Sequence, residues 1–308
     1  MTLPIPEMNL PAELMPKHQT PATARPPVSV DGVRVWNDIA YAVQIGFRPL
    51  RLDVYVPEGR FPSGVEGRPP VVVYIHGGAF LFGSRHRDAV SGPVWDELLD
   101  AGFAIAAVEY RLSGEAVFPA DLHDVTAAIR WVRRYADELG VDADRLATWG
   151  ESAGGFLATF AGMNLTDPEL IGNAGEADVA ATVQAVVAWS PVTDQLAMDA
   201  KLADAPMSVQ ESTPNAVQLG YAVSTDPERA HWSSPIAHVN ASAAPMLVLQ
   251  GTADDLVDVS QGEALVASLT EHGVHGEVHN TEGAPHIFFG IDSSEQRARS
   301  IDFLRRLL

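Results

Sequence analysis

A chain of 308 residues, 46% apolar and 19% charged, has the balance of a globular protein and the length for one large α/β domain or two smaller ones. Its formal charge of −20 argues against nucleic acid and anionic membrane as partners, because like charge repels both; the acidity itself favours solubility. With no cysteine, neither a disulfide nor a thiolate nucleophile is available, and the composition fits a reducing cytoplasm.

Residues 1–30 are rich in proline and lack the cationic start and apolar core of a secretory leader. They read as an extended arm, lying on the surface or over the mouth of a site. No apolar run approaches the ~20 residues of a membrane span, so no membrane partner is expected. Residues 33–42 (Val33, Val35, Ile39) and 50–56 (Leu50, Leu52, Val54, Val56) alternate apolar with polar, which predicts two strands in a hairpin or near-hairpin. A Gly/Pro-rich loop, Pro57 to Pro70, leads into Val71-Val72-Val73-Tyr74-Ile75. Such a continuous apolar run suits a strand buried on both faces of a parallel sheet, as does 103–108; a helix over 90–101 separates the two. After Phe118-Pro119 comes an amphipathic helix, with Val125, Ile129 and Val132 inward and Arg130, Arg133 and Arg134 turned outward. A strand to Trp149, a helix from Ser152 and the run 183–189 follow. Then come a strand at 246–249, a helix at 260–271, a strand at 276–282 and a final helix at 293–307. Strand and helix alternate, so the fold class is α/β with a mostly parallel sheet. Residues 192–240 break the rhythm and read as a cap inserted over the C-terminal edge of that sheet.

The chemistry centres on Gly150-Glu151-Ser152-Ala153-Gly154. A serine hydroxyl attacks a carbonyl only when a base takes its proton, a turn presents it clear of its backbone, and donors await the oxyanion. A tight strand-to-helix turn flanked by glycines meets the second need. The loop after Val71–Ile75 reads His76-Gly77-Gly78-Ala79-Phe80, whose glycines let backbone N–H groups approach the substrate; the N–H of Ala153 adds another donor. In this topology the acid and the base follow the nucleophile in the order Ser…Asp…His. Asp254 stands at the tip of the strand ending at Gln250, and His286 lies 32 residues later in the loop Gly283-Ala284-Pro285-His286. Asp255 is the alternative acid, and Asp258 a weaker one because it opens the next helix.

With Tyr110-Arg111-Leu112-Ser113, Phe118-Pro119-Ala120 and Gly251–Val257 in the same order, the chain resembles the α/β-hydrolase carboxylesterases of the hormone-sensitive-lipase-like group. Its similarity is greatest to the bacterial branch near BD-FAE, the feruloyl and acetyl-xylan esterases. The resemblance runs from about residue 50 to the C-terminus. It implies an α/β-hydrolase fold, with Ser152 as nucleophile, Asp254 and His286 as its partners, and Gly77, Gly78 and Ala153 as oxyanion donors. Ala79 replaces the third glycine of the lipase-type loop, and Glu151 stands where many relatives have aspartate.

The expected reaction is hydrolysis of a small-molecule carboxylic ester of short to medium chain through an acyl-enzyme, with no cofactor and no metal. Rival readings are an amidase, peptidase or carbamate hydrolase of the same build, and a binding module that has lost catalysis. His76 reads as a brace for the oxyanion loop. His272, His275 and His279 span a helix end, a turn and a strand, and read as surface residues and not metal ligands. Phe80, Leu81, Met198 and Met207 are the candidate substrate contacts, with Leu196 beside them in the cap, while Trp131 and Tyr135 read as packing. The sequence is compatible with a monomer or a homodimer.

Overall fold

The run from Val71 to Ile75 has no charged side chain, and its strand, β4 (Pro70–Ile75), is buried along its whole length. It lies near the centre of the sheet, flanked by β5 (Ala104–Val108) and β6 (Asp142–Glu151), both parallel to it. In this computed structural model residues 17–59 and 67–308 are described. The arm's residues 1–16, and residues 60–66 of the Gly/Pro-rich loop, lie outside them.

Nine strands among the described residues form one sheet. β7 (Ala185–Trp189), β8 (Met246–Gly251) and β9 (Gly276–Thr281) continue it in parallel beyond β6. On the other side β3 (Leu50–Pro57) runs antiparallel to β5, and β2 (Val33–Ala42) pairs antiparallel to β3, with Trp36 opposite Val54. These two are the predicted hairpin. A short edge strand, β1 (Val28–Val30), pairs with β2 where the sequence predicts only an arm; its three residues are exposed and carry no alternation to read.

Helices cover both faces, as a mostly parallel sheet requires. On one face lie α1 (Ser91–Asp100) and α11 (Ser294–Leu307), packed around Trp95, Trp149, Trp189 and Phe303. On the other lie α2 (Ala120–Arg134), followed by the single turn α3 (Ala136–Leu139), α4 (Ala153–Gly162) with α5 (Pro168–Ile171) beyond it, and α10 (Ser260–Glu271). The amphipathic face of α2 buries Val125, Ile129 and Val132 as its spacing requires. Arg130 is a correction: it is 3% exposed and not turned outward. Its guanidinium reaches past the apolar stripe to the carbonyl oxygens of Val179, Ile171 and Gly172, so its charge is met by backbone and not by water.

Between β7 and β8 the chain forms short helices: α6 (Gln195–Asp199), α7 (Met207–Gln210), α8 (Pro214–Leu219) and α9 (Pro227–Trp232). Asp194, Thr213 and Asp226 cap α6, α8 and α9 by accepting from backbone N–H groups, and proline opens the last two. These helices lie in the stretch that follows the C-terminal end of β7, at the edge of the sheet where the loops carrying Ser152, Asp254 and His286 also emerge. No helix of the described residues is long and apolar enough to cross a membrane.

Candidate active site

β6 ends at Glu151 and α4 begins at Ala153, so the chain reverses from strand to helix across Ser152 alone. The turn forces Ser152 to φ 54° and ψ −118°, a region that a residue with a Cβ rarely occupies. Two hydrogen bonds hold it there: its N–H donates to Trp189 O at 2.8 Å, and its C=O accepts from Phe156 N–H at 3.0 Å. The flanking glycines are needed sterically. A Cβ at Gly150 would run into the carbonyl oxygen of Gly154, and one at Gly154 into the carbonyl oxygen of Ile75. The hydroxyl therefore stands at the N-terminus of α4, where unpaired N–H groups make the potential positive.

His286 Nε2 lies 2.9 Å from Ser152 Oγ, and His286 Nδ1 lies 2.7 Å from Asp254 Oδ2. The carboxylate fixes the tautomer: Nδ1–H donates to Asp254, which leaves Nε2 to accept from the serine. Asp254 is anchored in turn, its Oδ1 accepting from the N–H groups of Leu256 at 3.0 Å and Val257 at 2.9 Å. Burial works to raise its pKa, but the bond from His286 and the two amides outweigh burial and hold the carboxyl below its usual value. Of the three aspartates considered, Asp254 alone has a hydrogen bond to the imidazole. Asp255 is exposed, and Asp258 Oδ1 accepts from Ser260 N–H at the start of α10. The loop beyond His286 carries positive φ at Ile287 (49°) and Phe288 (60°), and Ile287 N–H donates to Ser190 Oγ at 3.2 Å.

Past the end of β4, Gly78, Ala79 and Phe80 take φ of 121°, 53° and 62° in succession, and the turn closes with the N–H groups of Leu81 and Phe82 donating to Gly78 O. This loop lies directly on the serine turn: a Cβ at Gly77 would come within 2.9 Å of Glu151 O and 3.5 Å of Ser152 Cβ. His76 Nδ1 lies 2.7 Å from the Gly77 carbonyl oxygen, and its ring stacks on Tyr110 at 4.4 Å, so it braces the loop. Burial lowers its pKa and keeps the ring neutral. Glu151 lies beneath the same loop. Its Oε1 accepts from Tyr74 O–H at 2.8 Å, its Oε2 is buried with no partner among the described residues, and burial pushes its pKa up to about 7.

A cavity of about 200 Å³ opens from Ser152 and His286 toward α6 and α8. Phe80 and Met198 line it, and Phe80 is also core, meeting Phe156 edge-on at 5.3 Å. Leu81 and Met207 do not line it. Leu81, on the outside of the turn closed at Gly78, is 44% exposed, and Met207, the first residue of α7, is 45% exposed. Sequence reasoning missed Val192, Leu202, Pro214, Leu256 and Val257 on the apolar wall, and Asp199, Lys201, Thr213 and Asn215 on the polar one. Helices of four to six residues show no hydrophobic period from which a wall could be read. Leu196 lies beyond, in a second cavity. Trp131 is fully buried and donates to Gln19 O at 2.7 Å, and Tyr135 O–H donates to Glu176. His275 and His279 flank Glu277, while His272 contacts Ser268 O; no group of three or more His, Asp or Glu among the described residues is arranged to hold a metal.

The BD-FAE family profile matches residues 52–269. The probable carboxylic ester hydrolase LipM of Mycobacterium tuberculosis is 31% identical over 81% of this chain and 56% of its own length. The ethyl acetate hydrolase of Pseudomonas putida is also 31% identical, over 74% of this chain and 68% of its own. The chain spans about half the length of LipM and of the esterase LipQ from the same organism. Among solved structures, a truncated carbohydrate esterase from gut microbiota superposes with a TM-score of 0.75 at 26% identity, covering 89% of this chain and 95% of that one. A butyrate-bound thermophilic esterase from Thermogutta terrifontis gives 0.66 at 26%, covering 90% and 93%. The fold is that of the α/β-hydrolases, and the chain belongs to the BD-FAE family.

Proposed function

We propose that the protein is a serine carboxylesterase that hydrolyses carboxylic esters of short to medium chain through an acyl-enzyme. The observation that carries this reading is the hydrogen-bonded chain from Ser152 Oγ through His286 to Asp254, 2.9 and 2.7 Å long, at a strained turn beneath a glycine loop. In the first half-reaction His286 Nε2 takes the hydroxyl proton as Ser152 Oγ bonds to the ester carbonyl carbon. The carbonyl oxygen becomes an oxyanion, which receives hydrogen bonds from the N–H groups of Gly77, Gly78 and Ala153. Collapse breaks the bond to the alkoxy oxygen, and His286 returns the proton to the departing alcohol. In the second half a water gives its proton to His286 as its oxygen bonds to the acyl carbon. Collapse breaks the bond to Ser152 Oγ, His286 returns the proton to that oxygen and the acid leaves, while Asp254 stabilises the imidazolium each time.

The names of the matched relatives favour esters over amides. The cavity's size supports short to medium arms, and the segment 192–240 acts as the cap that forms its far wall. The test is turnover of p-nitrophenyl butyrate by the protein and by Ser152→Ala. Loss of at least ~10⁴-fold in kcat with an unchanged circular dichroism spectrum is expected. Retained activity in the variant would remove the assignment.

A further inference from the structure

The catalytic cavity has a neighbour inside the cap. A second pocket of about 160 Å³ lies among α6, the 3-10 turn Ala200–Leu202 and the stretch from Gln210 to Ser224, with Leu196, Ala200, Ala203 and Val223 on its walls. Two residues line both pockets, Asp199 and Leu202. We infer that Asp199 and Leu202 form a partition that limits the length of the apolar substrate arm, and that the pocket behind it is an extension of the binding site that they shut off. The inference rests on the esterase reading of Ser152.

The two halves of the partition differ in how firmly they are held. Both carboxylate oxygens of Asp199 are engaged: Thr213 Oγ1 donates to Oδ2 at 2.9 Å, and Asn215 Nδ2 to Oδ1 at 3.0 Å. These bonds tie the end of α6 to the start of α8 and keep the carboxylate in place. An apolar chain that reached it would strip water from a polar group and offer no hydrogen bond in return. Leu202 has no polar atom to anchor its side chain and fills its place by packing alone. It is the removable half. Truncating it joins the two spaces while the hydrogen bonds of Asp199 stay intact, so the added room is walled mainly by aliphatic side chains. Each further methylene that such room buries strengthens binding by roughly four-fold.

The experiment measures kcat/KM for p-nitrophenyl esters from acetate to decanoate, and for acetate esters of straight-chain alcohols over the same lengths. It compares the protein with Leu202→Ala and Leu202→Phe. In one of the two series the optimum in Leu202→Ala should move to an arm at least two carbons longer, with the octyl-to-butyl ratio rising tenfold or more. Leu202→Phe, which adds bulk to the partition, should move the optimum the other way. A role in folding alone lowers every ester by the same factor and leaves these ratios fixed in both variants. That result would overturn the partition. If Leu202→Ala melts below the assay temperature, the Leu202→Phe ratio decides. Failure of the esterase reading looks different, because the unmodified protein would then turn over no ester of any length.

Discussion

Glu151→Gln tests the electrostatics beneath the nucleophile. Glu151 is 4% exposed, receives one hydrogen bond from Tyr74 and has no partner for Oε2 among the described residues. Burial is the main cause of its raised pKa, with the charge of Asp88 adding to it and the Tyr74 bond opposing. A rise from 4.5 to about 7 corresponds to ~3 kcal/mol at about 1.4 kcal/mol for each pKa unit. The sign follows from proton counting. Between pH 4.5 and 7 the folded protein keeps a proton that the unfolded chain has released, so stability from this group is complete below 4.5, falls as pH rises, and is gone above about 7. Glutamine copies the neutral acid and does not titrate. Urea unfolding of both proteins from pH 4.5 to 8.5 should therefore show the variant gaining ~3 kcal/mol on the parent across this window. Parallel stability curves would refute the claim that burial raises the pKa of Glu151.

Two further perturbations follow from the same geometry. Asp254→Asn leaves the packing in place but offers His286 the wrong hydrogen-bond partner, so kcat should fall ~10⁴-fold with little change in KM; steady-state kinetics on an aryl ester will show it. Ser152→Gly removes the nucleophile and also relieves a Cβ at φ 54°, so thermal melts should show a gain in stability on the order of 1 kcal/mol in a protein without turnover.

The turn at Ser152, the glycine loop after β4 and the placing of Asp254 and His286 in loops past strand ends were legible in the sequence because each is a local demand. A sharp strand-to-helix turn needs glycines where carbonyls press, and Gly150 and Gly154 are where they do. The central strands were equally plain, since Val71–Ile75 can bury both its faces only inside a sheet. Other features rest on contacts remote in sequence. Arg130 looks like a surface cation until Ile171, Gly172 and Val179 bring their carbonyls to it. β1 consists of three exposed residues with no pattern of their own. The choice among Asp254, Asp255 and Asp258 depends on which side chain the turn after β8 aims at the imidazole. The cavity wall from Asp199 to Asn215 is assembled from helices too short to show a period, so its residues emerge only with the tertiary fold.

Covalent labelling reads directly whether Ser152 Oγ is the atom that becomes acylated. The protein, Ser152→Ala and His286→Ala are treated with a fluorophosphonate, and the adduct is located by peptide mass spectrometry. One adduct per chain of the unmodified protein is expected, on the peptide containing Ser152, with none in Ser152→Ala and a greatly slowed reaction in His286→Ala. An adduct on another residue, or undiminished labelling of Ser152→Ala, would contradict it.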